Sequence, residues 1–127
     1  MEMGEGMTPK GLKSFTEFWP YYVLEHTHPK NRLCHTIGTA LVFGIVGVTL
    51  WTHVAEWLWW APIFGYGFAW IGHFFIQKNR PATFTYPFWS LVGDFRMFFL
   101  TLAFRMPDEI MRAHQTVGQQ KESARVS

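Results

Sequence analysis

The sequence predicts an all-α integral membrane protein built on a two-span helical hairpin. Three observations carry this. Residues 33–52 and 57–77 form two runs without Asp, Glu, Lys or Arg, each about the length a helix needs to cross a hydrocarbon core of ~30 Å. The link between them is the tetrapeptide "HVAE", short enough to allow only an antiparallel hairpin. Trp51, Trp57, Trp59 and Trp60 cluster at that link, as an aromatic belt does at a membrane–water boundary. Two core helices of a soluble protein would also be apolar. Two full-length charge-free runs in a chain of 127 residues are harder to bury that way.

The elements follow in order. Residues 1–10 read as a disordered leader without the apolar core of a signal peptide. Residues 12–26 read as an amphipathic helix, with Leu12, Phe15, Phe18, Trp19, Tyr22 and Val23 at helical spacing. Its aromatic face is expected on the membrane surface, with Pro20 kinking or splitting it. Pro29 suits the first position of a new helix, with His28 before it as a weak cap. Span 1 covers 33–52 and span 2 covers 57–77. Ala40, Gly44, Gly65 and Ala69 are small enough to let the two approach closely. Residues 84–106 are apolar but carry Asp94 and Arg96 at their centre, which predicts an interfacial or re-entrant helix. Residues 117–127 read as a disordered tail.

Charge fixes the expected orientation. Lys10, Lys13, Lys30 and Arg32 flank one end of the hairpin and Lys78 and Arg80 the other, while the link carries only Glu56. The positive-inside rule places both flanks and both termini in the cytoplasm. The net charge of +2 gives no basic field for nucleic acid. A single cysteine, Cys34, excludes an intrachain disulfide and reads as packing.

The histidines carry the chemistry. The hairpin brings His35 and His73 to similar depth, and His26 reaches them from the preceding helix. Asn31 shares a helix face with His35, and Gln77 with His73. Three imidazoles from separate helices can hold one zinc, iron or copper ion, with Asn31 or Gln77 supporting them from behind. Interfacial histidines bonded to carbonyls and headgroups fit the spacing equally well. His53 lies at the far end of the hairpin, His114 falls in a polar tail, and His28 points away if it caps its helix. No HExxH or CxxC motif is present.

The pattern Y-x3-H-x2-P-x-N-x3-H, here Tyr22, His26, Pro29, Asn31 and His35, resembles the first motif of the membrane 2-hydroxy fatty acid dioxygenases. Their type member is the fungal enzyme of phytosphingosine breakdown. Gly65, Gly72, His73, Gln77, Pro81 and Ala82 resemble the second motif, with Gln77 where the pattern usually has Glu. The segment "YPFWSLVGDFRMFFL" is similar to short bacterial relatives that have been labelled a domain of unknown function.

The resemblance implies a multi-helix membrane fold and Fe(II) held by His26, His35 and His73. It implies dioxygen-dependent decarboxylation of a long-chain 2-hydroxy fatty acid to an acid one carbon shorter. Arg32, Lys78 or Arg80 would pair with the substrate carboxylate, near Asn31. A bacterial inner membrane is the expected location, and a homodimer would thicken a two-span wall. The alternatives are a non-catalytic membrane protein that binds a lipid or partner, and a different metal-dependent membrane hydrolase or hydroxylase.

Overall fold

The structure, a computed structural model, describes residues 8–126, and every regular element among them is helical. The expected leader lies mostly outside the described residues.

Helix α1 is Phe15–Leu24. Ser14 caps it by accepting from the Glu17 amide, and the Glu17 carboxylate accepts from the Lys13 amide in return. Pro20 sits inside the helix without ending it. A mid-helix proline costs about 3 kcal/mol. The buried side chains of Phe18, Trp19, Tyr22, Val23 and Leu24 outweigh that at about 1.5–3 kcal/mol each. This aromatic face is therefore core and not a membrane-surface patch. It packs with Met97 of α4 (Pro87–Leu102) and with Met106, Ala113 and Val117 of α5 (Met106–Val126).

Helix α2 spans Pro29–Thr52. His28 does cap it, its Nδ1 accepting from the Lys30 amide at 3.1 Å. Thr36, Thr49 and Thr52 donate their hydroxyls to carbonyls one turn back, so the helix leaves few side-chain polar groups unpaired. His53 ends it in the left-handed conformation.

Among the described residues α2 is the one helix long and apolar enough to cross a membrane. The second apolar run is broken into three pieces: a 3₁₀ turn over Ala55–Trp59, helix α3 at Trp60–Trp70, and a π-helical segment at Ile71–Gln77. The two runs still lie against each other. They come close at Gly38, where an added Cβ would stand 3.1 Å from Phe68 Cβ and 3.3 Å from the Phe64 carbonyl oxygen. Gly65 faces Val42 as expected, whereas Gly44 faces open space and Ala40 is exposed.

Helix α4 lies along α2, with Phe43 against the rings of Phe95, Phe98 and Phe99. Its two charges point inward or along aromatic rings: Asp94 reaches the histidines, and the Arg96 guanidinium lies 4.6 Å from the Trp19 ring centre. Helix α5 returns to α1 and continues to Val126 through the stretch expected to be disordered. Burial of Val117, a Tyr21 hydroxyl bond to Gln120 at 2.6 Å and the Arg125–Glu122 pair hold that stretch helical.

Candidate metal centre

His26 follows α1, His35 lies two turns into α2, and His73 stands in the π-helical segment. All three are buried, and their ring centres are 4.5, 4.5 and 4.9 Å apart. One nitrogen from each lies within 4.8 Å of the others, so the three can hold a metal ion.

Local structure explains the convergence. A π-turn widens the helix and is typical of functional sites. Here it carries Gly72 onto α2, where a Cβ would meet Asn31 Oδ1 at 2.0 Å and Asn31 Cα at 3.3 Å. Only glycine permits that approach, and His73 is the next residue.

Each ring is oriented through Nδ1. His26 Nδ1 is 2.6 Å from the Tyr22 carbonyl oxygen, which can only accept, so Nδ1 carries the hydrogen. His73 Nδ1 is 2.7 Å from Asn79 Oδ1. The Asn79 amide nitrogen donates to the Glu25 carbonyl at 2.9 Å, which fixes its oxygen toward His73. His35 Nδ1 faces the Asp94 carboxylate at 3.4 Å, and the Tyr22 hydroxyl donates to the same carboxylate oxygen. Nε2 of each ring is left as the free lone pair. Those of His26 and His35 are buried without a hydrogen-bond partner among the described residues. Orphaned imidazole nitrogens facing one another, each backed by an acceptor on the far side, are the arrangement of a metal site.

Electrostatics agree. Burial, and then the neighbouring imidazoles of His35 and His73, push the His26 pKa well down, so its ring is neutral and able to ligate. Burial and then the Asp94 charge push the Tyr22 phenol well up, so it stays a donor.

The other expected site residues fall elsewhere. Asn31 is fully buried but bonds the Glu25 carbonyl and Gln77, not a histidine. Gln77 accepts from the His28 amide and Asn31, and donates to the Thr27 hydroxyl. It locks the loop that carries His26 and stands behind the ligands' own partners. Both ends of the amide are used, which is how Gln serves at this position. Arg32 donates to the carbonyls of His26 and Thr27 at 2.9 and 2.7 Å, so its guanidinium braces the loop. Arg80 is exposed over the Phe84 ring and Lys78 is exposed at the helix end. None of these cations lines the cavities next to the histidines.

The supports that matter, Asp94 and Asn79, were not singled out by the sequence as site residues. Asp94 carries a signal, a charge inside an apolar run, that in the sequence alone bears only on topology. Two cavities adjoin the centre and share His35, Tyr66 and Asp94. The larger, about 210 Å³, runs between α2, α3 and α4 toward Ala61 and Pro62 and is mostly apolar.

No curated protein and no solved structure matches the chain. A family model described as 2-hydroxy-palmitic acid dioxygenase Mpo1-like matches residues 12–106, a stretch that contains all three histidines, Asn79 and Asp94. The chain belongs to the Mpo1-like family.

Proposed function

We propose that this protein is an Fe(II)-dependent dioxygenase of the bilayer. It converts a long-chain 2-hydroxy fatty acid and dioxygen to the fatty acid one carbon shorter, carbon dioxide and water. The observation that carries the reading is the convergence of three buried imidazoles, with two orphaned Nε2 atoms, at the mouth of an apolar cavity.

His26, His35 and His73 would hold the ion, and three neutral ligands leave coordination positions open. Bound Fe(II) would supply dioxygen activation and a Lewis-acidic seat for the substrate's carboxylate and 2-hydroxyl. The protein's own part is positioning. The Tyr22 carbonyl, Asp94 and Asn79 keep each Nδ1 protonated and each ring aimed. The Asp94 carboxylate offsets part of the ion's charge. Val42, Gly65, Leu91 and Phe95 wall an apolar cavity that would take the acyl chain.

The membrane reading rests on exposure. Trp51 is 86% exposed, Trp59 77% and Leu50 70%. A core helix of a soluble protein would bury such side chains. We take α2 as one crossing and the broken second run as the other, its π-segment packed inside the protein where irregular backbone is tolerated. Lys30, Arg32, Lys78 and Arg80 then share the cytoplasmic face with α1 and the α5 that packs on it.

The test uses protein purified anaerobically in mild detergent, loaded with Fe(II) and given 2-hydroxypalmitate. About one iron per chain is expected, with dioxygen uptake matched by carbon dioxide and pentadecanoate. Iron bound without uptake would remove the dioxygenase reading and keep the metal site.

A further inference from the structure

Ser90 has no role in the histidine cluster, yet it is only 2% exposed and its hydroxyl has no hydrogen-bond partner among the described residues. It lines the smaller cavity, together with the three histidines and Asp94, a space of about 10 Å³ that takes one water-sized group. Ser90 and Asp94 are one turn apart on α4 and so share a face. Asp94 is already engaged by Tyr22 and His35. Ser90 is not, and a buried hydroxyl left unpaired is costly unless something enters to use it.

A 2-hydroxy acid with its chain in the larger cavity presents one carboxylate oxygen to this space, and a desolvated carboxylate needs donors. Arg32 is held by loop carbonyls, Lys78 and Arg80 are exposed, and among the described residues no Lys or Arg lines the cavity. We propose that the Ser90 hydroxyl donates to the substrate carboxylate, orienting it at the three-histidine centre in place of a cation. This rests on the reading of the centre as a 2-hydroxy acid site. A hydroxyl in that role suits a buried site, because it binds the carboxylate without burying a second full charge.

The experiment compares wild type with Ser90→Ala, and with Ser90→Cys, which keeps nearly the same volume but donates weakly. Binding of radiolabelled 2-hydroxypalmitate to Fe(II)-loaded, anaerobic protein is read by equilibrium dialysis, with 1,2-hexadecanediol as the competitor that lacks a carboxylate. A hydrogen bond to a charged group predicts acid affinity lowered roughly ten- to a hundredfold in both variants. Diol affinity and iron content should be unchanged. Equal loss for acid and diol, or acid affinity within twofold of wild type, overturns the assignment. Wild type that binds the acid in a Ser90-dependent way but takes up no dioxygen would sink the oxygenase reading and leave this one standing. Wild type that binds iron but no acid sinks both.

Discussion

Asn31 and Asn79 donate to the same oxygen, the main-chain carbonyl of Glu25, at 3.3 and 2.9 Å. Each is the middle residue of a Lys-Asn-Arg tripeptide, one at the start of α2 and one just past the π-helical segment. The two copies are not a structural repeat. They are two clamps on the peptide group that immediately precedes His26, one from each side of the hairpin.

The clamps differ in what else they touch, and this separates their mutants. Asn79 also orients His73, so Asn79→Ala should weaken metal binding about 10–100-fold. Asn31→Ala removes buried bonds to Glu25 and Gln77 without freeing a histidine. It should cost stability, about 1–3 kcal/mol, more than metal affinity. Competition against a calibrated chelator, paired with thermal unfolding in detergent, reads both. Equal metal affinities for the two mutants would refute the distinction.

Gly72→Ala should be far more damaging than alanine at Gly44. The first adds a methyl into Asn31, and the second adds one into open space. Gly72→Ala is expected to lose stoichiometric metal and several degrees of melting temperature. Gly44→Ala should keep both. A Gly72→Ala protein that still binds one ion would show that the π-segment can shift without penalty.

Asp94→Asn keeps the size of the side chain and removes its charge. His35 loses its carboxylate partner, and the Tyr22 hydroxyl faces a weaker acceptor. Metal affinity should fall about 10–100-fold, with helix content unchanged by circular dichroism. Undiminished affinity would mean that the 3.4 Å contact to His35 is incidental.

Glu25 supplies a pH signature. Burial raises its carboxyl from 4.5 to about 7, against hydrogen bonds from the Thr8 hydroxyl and the Ala82 backbone that lower it. A carboxyl raised on folding favours the folded state fully below its unfolded pKa. That contribution is lost as pH climbs from about 4.5 through about 7. Glu25→Gln should remove this dependence, so metal-free mutant and wild type diverge across that window, by up to ~3 kcal/mol. Parallel stability curves from pH 5 to 8 would count against a buried neutral Glu25.

Leu91 projects from α4 into the larger cavity. Leu91→Trp should fill it, raising KM for 2-hydroxypalmitate at least tenfold while 2-hydroxyoctanoate and iron content change little. Equal effects on both chain lengths would place the acyl chain elsewhere.

The sequence made His26, His35 and His73 legible, because imidazoles beside apolar runs stand out and the hairpin register is set by a four-residue link. It also made the all-helical architecture legible. It did not show which way α1 faces. An aromatic stripe looks the same whether it meets lipid or Met97 and Val117, and only the return of α5 decides between them. The setting of the cations was equally hidden. Arg32 looks free in a sequence, while the loop carbonyls it braces exist only once the turn before Pro29 has formed. Asn79 was hidden by its neighbours, since a polar residue between Lys and Arg reads as solvated surface. The breaking of the second run had a cue in Gly72, but a π-turn has no periodicity of its own to detect.

The division of the three ligands between layers sets an order of events. His35 and His73 belong to the two apolar runs, which can pair as soon as both have left the ribosome. His26 belongs to the layer of α1, α4 and α5, and α1 finds its core only after α5 has been made. Until the last helix is synthesised, the paired runs offer two imidazoles and no closed site. Closure of the three-histidine cluster is thus a late event of folding, and a chain that fails to complete the outer layer would lack the third imidazole.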